Sequence, residues 1–337
     1  MKKIRYLITG AGGTIGLALL DSLVKQKNVI ICALDSDEER LFKISQKHPE
    51  SYKKINLFLG NIRDKERLSI AMETVDIVFH CAALKHVSLN EYNPFEVKKT
   101  NIDGVENIIE CAIKKRIKKV IFTSSDKAVN PTNIMGISKM MGERLVLSSN
   151  NRIGKNPTIF SSVRFGNVLD SSGSILQILR KQILNNIPLT ITDKKMTRFF
   201  INLDTAIELC LYAEKNMVGG EIYVKNMASV NITDLAIAFS KKTNPSIKYI
   251  GAKIGEKLYE ELFTNEEAER AYMYNGYICI VPEYVGSHLF INKKTKFKNI
   301  INHGIKVNKA LRSDEKLLSV KDIKKMLSLY HGKKTKS

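Results

Sequence analysis

The sequence predicts an α/β protein, a doubly wound parallel sheet with a smaller C-terminal portion, and two observations carry that expectation. Short runs rich in Ile, Val and Phe alternate with longer amphipathic segments, and the first run leads straight into a glycine-rich turn, "YLITGAGGTIG". Continuous apolar strands separated by helical crossovers belong to parallel sheets covered on both faces.

In order, the strands are "RYLITG", "NVIICALD", "INLFLGN", "VDIVFHCAA", "KKVIFTSS" and "TIFSSVRFGNV". Between them the helical spacing predicts one long helix over 94–115 and another over 133–149, the second introduced by "NPTN" with Pro131 and Thr132 as start signals. From about residue 170 the pattern loosens into shorter helices over 174–186, 203–215 and 232–241, with strand fragments such as "EIYVKN".

Composition bounds the function classes. With 337 residues, 44% hydrophobic and 26% charged, the chain is long enough for a sizeable core and reads as an ordinary soluble globular protein. The net charge of +20 raises the question of an anionic partner, yet the basic runs "KKRIKK" (114–119), "KKTKFK" (293–298) and "GKKTKS" (332–337) lack interleaved aromatics or any nucleic-acid motif. No nucleic-acid partner is expected. Five scattered cysteines with no CxxC spacing read as buried thiols of a reducing compartment, and the scattered histidines give no metal-ligand spacing. The basic, apolar start is interrupted by "TGAGGTIG", and no run approaches bilayer length, so a cytoplasmic protein without a transmembrane segment is expected.

Gly10, Gly13 and Gly16 follow a strand and open a helix. Glycines there permit a tight turn, close approach of backbone amides to a pyrophosphate, and close packing of helix on sheet. The helix N-terminus then faces the phosphates. Thr14 and Ile15 belong to the same turn, and Asp35, ending the second strand, stands where an acid grips ribose hydroxyls. A Rossmann site for NAD or NADP is expected. The acids Asp35, Asp37, Glu38 and Glu39 favour NAD by repelling a ribose phosphate, with Arg40 a partial offset. Asn61 and Ile62 after the third strand, and Ala82 and Ala83 after the fourth, recur along the same sheet edge as further cofactor contacts. The expected organisation is a dinucleotide-binding part over 1–169 and a mainly substrate-binding part over 170–337, some of whose elements return to the first sheet.

The GxxGxxG spacing, "HCAA" and a lysine near the start of the helix after "SS" resemble the extended short-chain dehydrogenase/reductase family. Within it, "AALKHVSLNEYNPFEVKKTNIDG", "SSDKAVNPTNIMGISK", "VRFGNVLDSSGS", "PLTITDKKMTRFF" and "GEKLYEELFTNEEA" resemble the UDP-N-acetylglucosamine 4,6-dehydratases, over roughly residues 4–270. The resemblance implies a UDP-sugar substrate and three chemical tasks: hydride removal from sugar C4, loss of water across C5 and C6, and hydride return to C6. It assigns Asp126 to protonating the departing C6 hydroxyl and Lys127 to removing the C5 proton. Those roles require a neutral acid and a neutral amine, and exclusion of water is expected to push both that way. Lys139 would hold the nicotinamide ribose, and Ser125 would bond the C4 hydroxyl. The resemblance also implies homo-oligomers, with the two long helices as the dimer surface.

Met135 stands one helical turn before Lys139, where most short-chain dehydrogenases carry a tyrosine base. A thioether has no ionisable proton. The reading is that Asp126 takes the C4 hydroxyl proton, directly or through a water held by Ser125 and Lys139, and that Met135 packs against sugar or nicotinamide. Lys85, Asn167, Thr190, Arg198, Glu256 and Lys257 are the candidates for binding the substrate, Arg198 through its fork of donors to phosphate. The alternatives weighed are a variant dehydratase that releases the 5,6-ene or inverts C5, a 4-epimerase that would leave Asp126 and Lys127 idle, and a non-catalytic nucleotide-sensing protein.

Overall fold

The computed structural model describes residues 3–51, 53–151, 158–169, 171, 173–240, 245–283 and 291–334. The first half alternates as expected: β1 (Ile4–Thr9), α1 (Thr14–Leu23), β2 (Val29–Asp35), α2 (Glu38–Lys47), β3 (Ile55–Leu59), α3 (Lys65–Ala71), β4 (Ile77–His80), then α4 (Val87–Tyr92), α5 (Pro94–Lys98) and α6 (Gly104–Lys114), β5 (Lys119–Ser125), α7 (Ile134–Ser148) and β6 (Ile159–Phe165). These strands lie in the order β3-β2-β1-β4-β5-β6, every pair parallel. The order reverses beside β1, which opens a crevice at the carboxyl ends of β1 and β4.

The single long helix expected over 94–115 is α5 and α6 joined by a wider π-helical turn, Lys99–Asp103. That turn buries Asn101, whose amide accepts from Leu84 N at 2.9 Å and donates to Leu84 O and Ser138 Oγ, both at 2.9 Å. The loop after β4 is thereby tied to α7. The cap of α7 is Asn133, whose side chain accepts from Gly136 N, while Thr132 donates instead to Gly255 O at 2.9 Å.

After β6 come β7 (Asn167–Val168), α8 (Ile175–Leu184), β8 (Leu189–Ile191), β9 (Thr197–Ile201), α9 (Leu203–Asn216), β10 (Ile222–Val224), β11 (Ala228–Asn231), α10 (Ile232–Ser240), β12 (Ile247–Tyr249), β13 (Glu261–Phe263), α11 (Asn265–Ala268), β14 (Ala271–Tyr274), β15 (Tyr277–Ile280), α12 (Ile291–His303), β16 (Ile305–Lys306), β17 (Leu311–Arg312) and α13 (Val320–Lys334). The sheet continues past β6 with β10, parallel, and then β15, β14 and β16 in antiparallel pairings. The other short strands pair among themselves as β11-β9-β7, β12-β8 and β13-β17. Lys241 of the expected helix over 232–241 and the last residues of the basic run 332–337 lie outside the described residues.

Apolar side chains cover both faces of the sheet. One core gathers Leu19, Leu20, Phe79, Val163 and Tyr223, the other Leu7, Val78, Ile108, Phe122 and Phe160. A separate core of Leu176, Leu179, Ile191, Phe200, Leu235 and Ile323 holds α8, α10 and α13 to the short strands. The cleft lies between this unit and the carboxyl edge of the sheet.

Candidate active site

A cavity of about 800 Å³ crosses that edge, from the glycine-rich turn to β8, β9 and the segment before β13. Its floor at one end is backbone. Gly10 has φ +67°, and a Cβ there would meet Ala82 Cα at 2.8 Å; at Gly16 it would meet Gly10 O at 2.2 Å. Side chains are excluded at both positions, which leaves the bare turn that a dinucleotide pyrophosphate requires. The residues therefore fit NAD or NADP, with Gly10, Gly13, Thr14, Ile15, Gly16, Asp35, Asn61, Ile62, Ala82, Ala83 and Lys139 all on the cavity wall.

Asp35 is committed to the turn itself. Its two oxygens accept from Gly12 N at 2.8 Å and Asp37 N at 3.1 Å. Arg40 packs over Gly12, where an added Cβ would come within 2.3 Å of the Arg40 Cβ, lines the cavity, and pairs with Asp37 at 3.1 Å. Lys85 lines the cavity as well; burial, with the positive charge of Arg40, lowers its pKa.

At the other end, β5 delivers Ser125, Asp126 and Lys127 in succession. Ser125 and Lys127 line the cavity, whereas Asp126 is fully buried behind them. Ser125 Oγ donates to Asp126 Oδ1 at 2.8 Å, and Lys127 Nζ stands 3.0 Å from the same oxygen. Asp126 Oδ2 has no hydrogen-bond partner among the described residues. Burial raises the Asp126 pKa, against the opposing charge of Lys127. Half of the electrostatic expectation is met. Burial alone would lower the Lys127 pKa, but the adjacent carboxylates Asp126 and Glu260 outweigh it, and the amine is held above its usual value.

Met135 and Lys139 occupy the cavity-facing side of α7. Lys139 Nζ donates to Thr123 O at 2.9 Å and lies 4.7 Å from the centre of the Phe122 ring. Burial draws its pKa from 10.5 to about 8. His80, behind the cavity wall, bonds Thr9 Oγ1 through Nδ1 at 2.7 Å and is held neutral by burial, with its pKa lowered to about 3.

Of the substrate candidates, Lys85, Asn167, Thr190, Arg198 and Glu256 line the cavity, and Lys257 does not. Lys257 Nζ instead bonds Val129 O at 2.9 Å and Glu260 at 3.0 Å. The Arg198 fork is partly spent on Thr197 O, at 2.7 Å. The Thr190 hydroxyl accepts from Gln182, and Glu256 accepts from Lys253 N. Sequence reasoning missed Glu260, a buried acid on the cavity wall within 3.4 Å of Lys127 and 3.9 Å of Arg198. Its signal was present in "GEKLYEELF", an acid three residues after Lys257, but nothing local separates it from the adjacent Glu261.

Residues 6–282 match the family model described as polysaccharide biosynthesis protein. A UDP-N-acetylglucosamine 4,6-dehydratase (inverting) of Campylobacter jejuni is 39% identical over 82% of this chain and 82% of its own length. An uncharacterized membrane protein of Methanocaldococcus jannaschii is 43% identical over 87% of this chain and 92% of its own. Among the described residues here, no helix is long and apolar enough to cross a membrane. The crystal structure of Pen from Bacillus thuringiensis superposes with a TM-score of 0.88 at 34% identity, covering 97% of both chains.

Proposed function

We propose a function from one premise: the chain belongs to the polysaccharide biosynthesis protein family of extended short-chain dehydrogenases/reductases. Its activity is that of an NAD(P)-dependent UDP-N-acetylglucosamine 4,6-dehydratase, supplying a 4-keto-6-deoxy sugar to surface-glycan synthesis. Inversion at C5 is carried over from the name of the Campylobacter relative. The observation that carries the reading is the acid and amine pair, Asp126 and Lys127, set 3.0 Å apart at the far end of a cavity that begins at a glycine cradle.

NAD(P), held by the glycine turn and the cavity-facing side of α7, would supply the hydride-transfer chemistry needed at C4 and C6. The chain's residues handle the protons. Ser125 meets the C4 hydroxyl and passes its proton to Asp126, because only Ser125 of the two reaches the cavity. Asp126, now neutral in a buried site that favours the neutral form, returns the proton to the departing C6 hydroxyl as water. Lys127 takes the C5 proton, acidified by the adjacent ketone, as the C6 hydroxyl leaves, and C5 takes a proton back from Lys127 or water once C6 has regained hydride. Met135 provides an apolar surface for the sugar or nicotinamide, and the Lys139 ammonium holds the ribose. Residues 1–169 carry the cofactor and 170–337 mainly the sugar nucleotide, through Asn167 at the boundary and Thr190, Arg198 and Glu256 beyond it.

The choice between NAD and NADP turns on the end of β2. The acids there favour NAD, while Arg40 on the cavity wall, paired with Asp37, supplies a cation that a ribose phosphate would use. The exposed apolar side chains of α4, α5 and α7, among them Leu89, Tyr92, Phe95, Ile137 and Met141, support homo-oligomer formation through this face. Five free cysteines and a UDP-sugar substrate support a cytoplasmic site of action.

Incubation of the purified protein with UDP-N-acetylglucosamine, read by mass spectrometry and NMR, tests the proposal. Loss of one water with a 4-keto-6-deoxy product supports it, and deuterium incorporation at C5 from heavy water reports the Lys127 step. Unchanged mass with inverted C4 would make the protein an epimerase, and no change at all a binding protein.

A further inference from the structure

Beside the acid and amine pair lies a second buried carboxylate that the reaction above does not use. Glu260 precedes β13 and is 2% exposed. Lys127 approaches it at 3.4 Å from the catalytic loop, Lys257 at 3.0 Å from its own segment, and Arg198 at 3.9 Å from β9. The charged groups that face Lys127 are therefore Asp126, Glu260 and Arg198, with Asn167 Oδ1 at 3.5 Å as a neutral acceptor.

The surroundings fix Glu260 firmly. Lys257 is itself anchored on Val129 O and Asn130 O, Asn130 donates to Glu261 at 2.6 Å, and Asn133 donates to Gly255 O at 2.8 Å. Residues 255–261 are thus stitched to 127–133. A buried carboxylate between three cations stays ionised, so Lys127 keeps one anionic partner even when Asp126 has accepted a proton.

We propose that Glu260 is a positioning residue for the elimination step: it fixes where the Lys127 amine stands and sets how readily that amine gives up its proton. The inference rests on the reading that Lys127 is the base at C5. A base must first be neutral, and Glu260 is the partner that opposes this throughout the cycle. It holds the amine in register at the cost of moving the elimination to higher pH.

The test is the pH profile of deuterium incorporation at C5 of UDP-N-acetylglucosamine in heavy water, for wild type, Glu260→Gln and Glu260→Asp. The ascending limb should move to lower pH by about one to two units in Glu260→Gln, the shift expected on removing one opposite charge at this range. Glu260→Asp, which keeps the charge but withdraws it, should move the limb less in the same direction, and it stands in if the glutamine variant does not fold. Substrate affinity, measured by calorimetry, should change far less than the profile. A limb at the wild-type position in a folded variant, whether the rate falls or not, overturns the role of Glu260 while wild-type dehydration keeps the reaction. Wild type that loses no water removes the reaction and this role together.

Discussion

The Ser125 hydroxyl donates to the Asp126 carboxylate at 2.8 Å, and Asp126 is buried behind it with no surface of its own on the cavity. Ser125 is the hydroxyl that joins the cavity to this acid, and the C4 proton is expected to pass through it. Asp126→Asn should abolish both C4 oxidation and elimination, a loss of about a hundredfold or more in each. Ser125→Ala should lose the same two steps, whereas Ser125→Thr, which keeps a hydroxyl there, should retain them. Single-turnover cofactor reduction and water loss are the readouts. Full cofactor reduction by Asp126→Asn would defeat the assignment of the C4 proton to this acid.

A stability prediction follows from Arg164 on β6. Its guanidinium donates to Glu143 at 2.9 and 2.5 Å and to Glu267 at 2.7 and 2.8 Å, with all three side chains buried. Glu143 lies one turn beyond Lys139 on α7, so the cluster ties α7 to α11. Arg164→Met leaves two buried carboxylates without their shared cation and should cost about 3–5 kcal/mol in urea unfolding. The double exchange of both acids for glutamine in that background should recover part of the loss. No recovery would mean that the arginine acts through packing alone.

Much of this was legible in the chain because local rules sufficed. The glycine turn, the alternation of strands and helices and the cavity-facing side of α7 follow from spacing, since Gly10, Gly16, Met135 and Lys139 are set by the backbone that carries them. What escaped depends on distant segments meeting. Glu260 lies 133 positions from Lys127 and becomes its partner only because 255–261 docks on 127–133. For the same reason the Lys127 shift was misjudged, burial being legible locally and the second carboxylate not. Lys257 shows the reverse case, a cation expected at the substrate that lies off the cavity wall and bonds Val129 O, Asn130 O and Glu260.

Cofactor preference should respond to one residue. Arg40 covers Gly12 and lines the cavity, and Asp35 has both oxygens on backbone amides. Arg40→Ala should weaken NADP binding by about tenfold, as the loss of a charge-assisted contact of this kind does, and leave NAD binding within about twofold. Fluorescence titration with each dinucleotide decides. Equal losses for both would place Arg40 at the pyrophosphate or the turn and not at a ribose phosphate.

Oligomer formation should depend on α4 and α5. Tyr92 is 85% and Phe95 77% exposed in the isolated chain, on neighbouring turns. Large exposed aromatics of this kind act as anchors of an interface. Tyr92→Glu with Phe95→Glu should convert the assembly to monomer in sedimentation, with the far-ultraviolet spectrum unchanged. An unchanged mass would move the interface off this face.

Lys139 makes stability depend on pH in a direction that can be worked out. Its pKa is lowered to about 8 by burial, while an unfolded lysine titrates near ~10.4. Between about pH 8 and ~10.4 the unfolded chain therefore binds the proton that the folded chain has released, and stability rises with pH across that window. Below it the full cost of burying the ammonium is present, roughly 3 kcal/mol. Lys139→Met removes the charge with little change of length, so it should gain stability over wild type at neutral pH and lose that advantage by about pH 10. The same variant forfeits the bond to Thr123 O, which offsets the gain by about 1 kcal/mol at every pH. The slope of the difference, measured by urea unfolding across the window, is therefore the decisive quantity, and a flat difference would show that the amine is already neutral or well solvated. On the proposed role of Lys139 in holding the nicotinamide ribose, turnover should be lost in Lys139→Met at every pH.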